Sequence, residues 1–263
     1  MLVFCKLGGS LITDKNQPHT ARLEILDRLT AELAAARRDK PDLQLVLGHG
    51  SGSFGHVPGK KFGTRQGVNT SEQWHGFVEV WYEARALNEI VLASLQKAGL
   101  PVISFPPSAC AMAHDGTLTR WDLSPLKAAV HNGIIPLVYG DTCFDTIRGG
   151  TIVSTEDIFA HIAPGLKPDR ILLAGIEPGV WSDFPRCTRL IDKITLESYE
   201  TNPHKILGSA ATDVTGGMEA KVRQALKLVG NQPGIRALIF SGMEAGNLYQ
   251  ALSGSEPGTV ICR

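Results

Sequence analysis

Long apolar runs are missing from this chain of 263 residues. No stretch approaches the roughly 20 consecutive apolar residues that a membrane-spanning helix needs. The apolar start Met1–Lys6 is too short for a signal peptide and runs directly into a glycine turn. Net charge is missing as well, because 26 Lys and Arg balance 26 Asp and Glu, which gives no reason to expect a nucleic-acid or membrane partner. We therefore expect an ordinary cytoplasmic protein of enzyme size.

Paired cysteines are also lacking. The chain has five cysteines, an odd number, and they are scattered without a C-x-x-C spacing. This pattern excludes a disulfide framework and a zinc site, and it is typical of reduced thiols in a cytosolic protein. The sequence accordingly nominates no metal-ligating residue.

Two common kinase signatures are absent. No G-x-x-x-x-G-K-[ST] segment occurs, so a P-loop nucleotide-binding protein is not supported. Neither H-R-D nor D-F-G occurs, which excludes a protein kinase.

Apolar runs alternate with segments of helical spacing along the chain. The runs predict strands over Leu2–Leu7, Leu43–Leu47, Val102–Ser104, Ile134–Tyr139, Arg170–Ala174, Ala237–Phe240 and Thr259–Cys262. The spacing predicts helices over Leu23–Arg38, Ser71–Gly99, Pro125–Asn132, Thr155–Ile162 and Glu219–Val229, and a hairpin over Gly140–Val153. This order predicts an α/β fold with a mostly parallel sheet covered by helices on both faces. Such folds bind ligands at the carboxyl ends of their strands.

The first glycine loop, Lys6–Ser10, follows the first strand. Gly8 and Gly9 let the backbone approach a ligand closely, and successive N–H groups there bind phosphate oxygens. Lys6 lies near the end of a buried strand, where its ammonium needs an anionic partner. A lysine that merely reaches out to solvent is the alternative, but the adjoining glycines favour phosphate.

The second glycine loop, Gly48–His56, contains a match to the dinucleotide fingerprint G-x-G-x-x-G. That fingerprint should follow the first strand and open a helix, whereas this match follows the second strand, and Val57-Pro58-Gly59 is a poor helix start. We favour a loop that holds an anionic substrate, with His56 as a hydrogen-bond donor. A hydrogen-bonded loop histidine remains open for His56, and a structural role is favoured for His49.

The third glycine loop, Asp213–Met218, precedes a helix that carries Lys221. Gly216 and Gly217 at a helix start present free N–H groups to a phosphate. A lysine in the first turn opposes the helix dipole, so an external anion is expected beside it, although a solvated surface lysine is the alternative. Three glycine loops and the cations Lys6, Lys15 and Lys221 together predict a row of phosphates held in one cleft.

These segments, in this order, resemble the amino acid kinase superfamily and within it the isopentenyl phosphate kinases. The matching residues are Lys6–Ser10 with Lys15, Gly52–His56, Tyr139–Asp141, and Asp213–Met218 with Lys221. The resemblance implies an open αβα sandwich, a homodimer, an acceptor-binding lobe over residues 1–163 and a lobe over residues 164–263 that binds ATP with Mg²⁺. We expect the boundary near Ala163–Pro168.

The resemblance also implies roles for individual residues. Lys6 and Lys221 would hold the transferring phosphoryl group, Lys15 would stabilise the transition state, and His56 would bind the acceptor phosphate. The expected nucleotide contacts are Lys6, Gly8, Gly9, Ser10, Gly52, Gly175, Gly179, Asp183, Gly216, Gly217 and Lys221. The expected acceptor contacts are Gly50, Ser51, Gly55, His56, Gly140, Asp141 and Thr155.

The sequence departs from the family pattern in three places, one of which is His49-Gly50-Ser51 in place of a plain Gly-Gly-Gly. Ala174–Trp181 replaces the usual Thr-Asp-Val-Asp-Gly-Val-Tyr, and Ser154-Thr155-Glu156-Asp157 replaces Ser-Gly-Asp-Asp. The implied reaction is phosphorylation of isopentenyl phosphate by ATP. Fosfomycin-type and other small phosphate or phosphonate kinases are alternatives, as is a catalytically silent nucleotide sensor. The helix bearing Phe77, Val80, Trp81 and Tyr82 would offer a pocket for a prenyl tail, although core packing explains these residues equally well.

Overall fold

The computed structural model describes residues 1–201, 217–230 and 234–263, and for His56 and Val57 the backbone alone. The strands are β1 Leu2–Leu7, β2 Gln44–His49, β3 Val102–Ser104, β4 Ala111–His114, β5 Thr117–Trp121, β6 Ile135–Tyr139, β7 Asp141–Asp145, β8 Gly149–Val153, β9 Arg170–Gly175, β10 Val180–Trp181, β11 Leu190–Ile191, β12 Lys193–Thr195, β13 Arg236–Ser241 and β14 Gly258–Cys262. The helices are α1 Gly9–Ile12, α2 Leu23–Asp39, α3 His56–Lys61, α4 Ser71–Lys97, α5 Pro107–Cys110, α6 Ser124–His131, α7 Thr155–Leu166, α8 Leu196–Thr201, α9 Gly217–Gly230 and α10 Asn247–Ser253.

A central sheet organises the described part of the chain, with the strand order β12-β14-β13-β9-β1-β2-β6-β3. Its neighbours pair in parallel, except that β13 and β14 are antiparallel. A smaller sheet, β5-β4-β7-β8, contains the hairpin that was predicted over Gly140–Val153. The predicted α/β class with a mostly parallel sheet is therefore confirmed.

Two apolar layers cover the two faces of the central sheet. Along β1, Phe4 faces the layer that includes α7 and α9, whereas Val3 and Cys5 face the layer that includes α2, α4 and α10. This alternation follows from the two-residue period of a strand. Lys6 shares the parity of Phe4, so its side chain is directed toward α7 and α9 at the carboxyl end of the strand.

Two helices near this edge begin at side-chain caps. Thr70 and Gln73 form a reciprocal capping box that starts α4, and Ser154 and Asp157 form one that starts α7. Each box satisfies N–H groups that a helix start leaves unpaired. The α7 box fixes the first turn of α7 directly after β8, which brings Thr155 and Glu156 to the carboxyl edge of the central sheet.

One local expectation needs correction, and another remains a prediction. We expected no helix after the second glycine loop, but α3 begins at His56 because Gly55 takes a left-handed conformation, φ +74°, and turns the chain into it. Pro58 is tolerated there because the first turn of a helix needs no N–H donor. The lobe boundary remains a prediction, and α7 continues through Ala163 to Leu166 at that point. Among the described helices, none is both long and apolar enough to cross a membrane.

Candidate active site

Four adjacent strands direct their following loops into one cavity. In the sheet, β9, β1, β2 and β6 are neighbours and parallel, so their carboxyl ends meet at one edge. The cavity there has a volume of about 370 Å³. Glycines from all four strand ends line it, namely Gly175 at the end of β9, Gly8 and Gly9 after β1, Gly50 and Gly52 after β2, and Gly140 after β6.

The first and second glycine loops lie in direct backbone contact. A Cβ added to Gly9 would overlap the backbone of Gly52, and one added to Gly52 would overlap the side chain of Thr13. The Thr13 hydroxyl donates to the carbonyl oxygen of Gly9 at 2.8 Å and accepts from the Ser53 N–H at 2.9 Å. Glycine is therefore required at this contact by sterics, and at Gly52 also by φ of +55°.

Lys6 forms an ion pair with Glu156, the second residue of α7. The Glu156 side chain is buried, with a relative exposure of 9%. Burial alone would raise the pKa of Glu156, but the Lys6 ammonium, the hydrogen bond from it and the charge of Lys221 hold that pKa below its ordinary value. Glu156 is thus ionised at neutral pH and connects two of the three predicted lysines electrostatically.

Positive charge dominates the cavity. Lys6, Lys15, Lys60, Arg65 and Lys221 line it, whereas Glu156 is the one carboxylate among the described lining residues. Arg65 also contacts Asp157 at 3.2 Å. Within the described ranges, no cluster of three or more His, Cys, Asp or Glu side chains is arranged to hold a metal ion. This donor set suits an anionic ligand of several charges, such as a chain of phosphates.

Apolar side chains also line the cavity. Val80 and Ala84 of α4 and Ile152 and Val153 of β8 contribute to this lining. Of the helix residues considered for a prenyl pocket, Val80 is the one that lines the cavity. Phe77 packs away from it, with its ring centroid 5.3 Å from those of Trp74 and Phe144.

Most of the predicted site residues that the structure describes meet in this cavity. The lining includes Lys6, Gly8, Gly9, Ser10, Lys15, Gly50, Ser51, Gly52, Gly55, Gly140, Thr155, Gly175 and Lys221. The hydroxyl of Thr155 donates to the carbonyl oxygen of His49 at 2.5 Å, so a polar contact from Thr155 to an acceptor would have to come from its backbone. The backbone of His56 follows Gly55, but its side chain lies outside the described part. Gly217 begins α9, and Gly216 lies outside the described residues.

Three predicted residues make other contacts instead of lining the cavity. Asp141 accepts from the Ser108 hydroxyl at 2.7 Å and from the Thr142 N–H at 2.8 Å. Burial raises the pKa of Asp141 to about 6, against the effect of these hydrogen bonds. Asp183 accepts from the Thr188 and Arg189 N–H groups of its own turn, both at 3.1 Å. A Cβ added to Gly179 would approach the Thr259 hydroxyl to 2.6 Å, so that glycine serves packing against β14.

His49 makes the contacts expected of a structural residue. It is 1% exposed, and its ring stacks on Tyr139 with centroids 5.2 Å apart. Its Nε2 lies 3.4 Å from the amide oxygen of Asn88. Burial lowers the pKa of His49 to about 4, and the charge of Lys6 acts in the same direction. The ring is therefore neutral at pH 7, and it packs in the interior at the start of the second glycine loop.

Sequence reasoning missed the role of Glu156. A buried lysine at the end of β1 indicated an anionic partner, which we assigned to a bound phosphate. The structure supplies a carboxylate from a residue 150 positions away. The available signal was the family segment Ser-Gly-Asp-Asp. At its third position this chain keeps an acidic residue, Glu156, whose side chain is one methylene longer than that of Asp.

Comparisons with known proteins identify the family of this chain. A family model described as "Amino acid kinase family" matches residues 1–241. The chain belongs to the amino acid kinase family. It is 34% identical to an isopentenyl phosphate kinase of Methanocaldococcus jannaschii, with 99% of this chain and 98% of that protein covered. It is 35% identical to an isopentenyl phosphate kinase of Haloferax volcanii, with 99% and 98% covered.

A solved structure gives the same result in three dimensions. An X-ray structure of an isopentenyl phosphate kinase superposes with a TM-score of 0.82 at 28% identity, covering 99% of this chain and 100% of that one. The predicted amino acid kinase fold is thus confirmed over nearly the full length. For this amino acid kinase family member, the cavity at the carboxyl edge of the sheet is the candidate active site.

Proposed function

We propose that this protein transfers the γ-phosphoryl group of ATP to isopentenyl phosphate, giving isopentenyl diphosphate for isoprenoid biosynthesis. One observation carries the proposal: a single cavity is lined both by glycines with cationic side chains and by the apolar side chains of Val80, Ala84, Ile152 and Val153, which we propose as the wall for the prenyl tail. A small prenyl phosphate has the same two parts. Relatives of the same length named isopentenyl phosphate kinase support this acceptor.

The reaction requires two phosphates to be brought together. At about 4 Å and an effective dielectric constant of about 20, each pair of unit charges repels by roughly 4 kcal/mol. Lys6, Lys15 and Lys221 offset this repulsion, and the N–H groups of the glycine loops orient the phosphates. An oxygen of the acceptor phosphate attacks the γ-phosphorus in line, and ADP leaves. The acceptor is already ionised at pH 7, so no strong base is needed.

The nucleotide is expected on the side of Gly8, Gly175 and Lys221, and the acceptor between Gly50, Gly55 and α4. Mg²⁺ is expected to arrive with the ATP phosphates, because Glu156 is engaged with Lys6 and phosphates and water supply most of its ligands in such sites. His56 remains the expected donor to the acceptor phosphate. The contributions of Gly216 and Gly217 to the nucleotide site also remain predictions.

The test is ADP release with isopentenyl phosphate, dimethylallyl phosphate and fosfomycin measured side by side. We expect the highest kcat/KM with isopentenyl phosphate. Fosfomycin as the best substrate would favour the phosphonate kinase, and release with none of them would favour the silent sensor or another acceptor.

A matched pair of variants sharpens the choice of acceptor. Ala84→Asp puts a charge on the apolar wall and should lower kcat/KM for isopentenyl phosphate by about tenfold or more, because a desolvated carboxylate opposes a prenyl tail. Ala93→Asp makes the same change at an exposed position of α4 and should have little effect. Equal effects of the two variants would argue against a tail bound at this wall.

Assembly and location are part of the same proposal. We expect a homodimer formed through α4, because Trp74, Val78 and Tyr82 are 36%, 47% and 60% exposed along one side of this helix, and exposed apolar stripes of this kind are typical of interfaces. All five cysteines are free thiols, which supports a cytoplasmic location.

A further inference from the structure

The loop that carries Lys15 is closed at its base. The Asp14 N–H donates to the carbonyl oxygen of Thr20 at 2.9 Å, and Thr13 and Ala21 form an isolated antiparallel bridge. The two ends of the segment 14–20 therefore lie side by side, and the segment forms one loop. Lys15, near the outgoing end, lines the cavity, and His19 lies on the returning side.

His19 connects this loop to two other elements. Its ring meets that of Phe54, in the second glycine loop, edge to face with centroids 5.6 Å apart. Its Nδ1 lies 2.7 Å from Oε2 of Glu83 on α4. Glu83 itself packs near Gly55, where an added Cβ would lie 3.8 Å from the Glu83 Cβ. His19 thus joins the Lys15 loop to both elements that border the acceptor side.

The Glu83 carboxylate makes this contact an ion pair when the His19 ring is protonated. Its Oε2 is shielded from solvent and makes no hydrogen bond with any described residue. A buried carboxylate oxygen without a donor is costly. The positive charge of a protonated His19 ring offsets this cost, even though the ring itself is largely exposed, with a side-chain exposure of 59%.

The backbone of His19 is in the left-handed region, with φ of +52°. This conformation is unfavourable for a residue with a Cβ, and such residues persist where the surrounding structure holds them. The other described links between the loop and the second glycine loop are longer: Thr20 and Ser53 approach at 3.4 and 3.5 Å. The contact between His19 and Glu83, at 2.7 Å, joins the loop to α4 instead.

We propose that His19 and Glu83 are positioning residues that hold the loop 14–20 against α4, so that Lys15 reaches the transferring phosphoryl group. This inference rests on the proposed function, because it assigns Lys15 to the phosphoryl group. His19 and Glu83 would contact neither nucleotide nor acceptor. They would act by positioning the ammonium group of Lys15.

A double-mutant cycle tests the inference. His19→Ala should lower kcat by about tenfold to a hundredfold, as expected for a small displacement of a catalytic group, and should leave the KM for ATP nearly unchanged. The double variant Lys15→Ala with His19→Ala should have the kcat of Lys15→Ala alone, because the effect of His19 requires Lys15. Losses that multiply, or an unchanged kcat in His19→Ala, would overturn the proposal.

Glu83 provides the reciprocal variants. Glu83→Ala and Glu83→Gln should both reproduce the loss seen with His19→Ala, because each removes the carboxylate charge that faces the ring. Activity retained in either variant would overturn the charged link. His114→Ala is the matched control, because this exposed histidine bonds Thr146 at the smaller sheet at 2.8 Å.

A second readout does not depend on activity. Trypsin cleaves after Lys15, and release of the loop should speed this cleavage in His19→Ala and Glu83→Ala relative to wild type and to His114→Ala. Equal cleavage rates would overturn the inference. A wild-type protein inactive on prenyl phosphates would instead contradict the proposed function, while the cleavage rates would still report on the loop.

Discussion

Glu156 is the residue whose charge matters most for the cavity in the absence of a ligand. It forms an ion pair with Lys6, and the charge of Lys221 also lowers its pKa, so without it these two ammonium groups of the cavity would lose a shared counter-charge. Glu156→Gln keeps the volume and removes the charge. Because Lys6 and Lys221 would lose the anion that places them, we expect kcat to fall by about tenfold to a hundredfold.

The same substitution has a predicted effect on stability. Leaving one member of a buried ion pair unpaired costs on the order of 3 kcal/mol in the free energy of unfolding. The pKa of Glu156 is lowered in the folded protein, so its stabilising effect is fully present above the unfolded pKa of about 4.3 and is lost as pH falls through the folded pKa. Urea unfolding should therefore show a difference between wild type and Glu156→Gln that is large at pH 7 and shrinks below about pH 4.

The control for this experiment is Glu24→Gln, an exposed residue in the first turn of α2, which should change stability by less than about 0.5 kcal/mol. A difference between wild type and Glu156→Gln that stays constant down to low pH would show that the ionised carboxylate does not stabilise the fold.

His56 yields a prediction that separates the two substrates. As a donor to the acceptor phosphate, it should affect that substrate and leave ATP binding alone. His56→Ala should raise the KM for isopentenyl phosphate or lower kcat by about tenfold or more, with the KM for ATP unchanged. Steady-state kinetics with each substrate varied in turn provides the measurement. Kinetics identical to wild type, or to the exposed α4 control His75→Ala, would remove His56 from the site.

At the scale of elements, the stacking of the first two glycine loops defines the cavity floor. Gly52→Ala combines the cost of a left-handed residue, about 1–2 kcal/mol, with overpacking against Thr13, about 1–3 kcal/mol. Thermal and urea unfolding should show this variant to be clearly destabilised. The reason is local, because no side chain fits between the loops.

Two other glycines provide graded controls for that prediction. Gly99 also has a positive φ, +75°, but an added Cβ would meet nothing within 4 Å, so Gly99→Ala should show the conformational cost alone. Gly175 has open space and no positive φ, and Gly175→Ala should leave stability nearly unchanged. A Gly52→Ala variant no less stable than Gly99→Ala would contradict the stacked arrangement.

The sequence predicted those elements whose signals are local. Apolar runs located β1, β3 and β9 to within a residue. The strands β1 and β9 are buried and parallel, whereas β3 is a partly exposed edge strand. The start of α4 at Ser71 could be predicted, because its capping box of Thr70 and Gln73 lies within four consecutive residues. In contrast, α3 was missed because its start depends on the left-handed Gly55, and backbone conformation at a glycine cannot be read from its neighbours.

The candidate site also contains features that local sequence signals predict and features that they do not. The glycine loops and their lysines could be located, because a close backbone approach requires glycine at that position. The pairing of Lys6 with Glu156 could not, because it joins β1 to α7 across 150 positions and depends on the topology of the sheet. Asp141 remains a prediction: a segment resembling the family's Tyr-Gly-Asp suggested a ligand contact, and the structure shows its buried carboxylate bonded to Ser108 and Thr142.

At the scale of the whole molecule, α4 has a proposed function on each of two opposite sides. Its inner side supplies Val80 and Ala84 to the cavity, and its outer side carries the apolar stripe proposed as the dimer interface. Ring contacts extend this stripe to Phe144, whose centroid lies 6.0 Å from that of Trp74. A partner bound to α4 would therefore support the helix that forms the acceptor wall.

The charges on α4 favour a second copy of the chain as that partner. In an antiparallel pair of α4 helices centred on Tyr82, Glu79 of one copy lies opposite Arg85 of the other, because both are three positions from the centre. The two contacts are related by the twofold axis, as an isologous interface requires. Exposed pairs of this kind contribute about 0.2–1 kcal/mol each and chiefly set register.

A charge exchange tests this arrangement. We expect wild type to be dimeric in light scattering at micromolar concentration, and Tyr82→Glu to be monomeric because it buries a charge at the centre of the interface. Glu79→Arg alone places two like charges opposite each other and should weaken the dimer, whereas adding Arg85→Glu restores the pairing and should restore the dimer. Monomeric wild type, or a double variant no more dimeric than Glu79→Arg, would show that α4 does not pair with itself in this register.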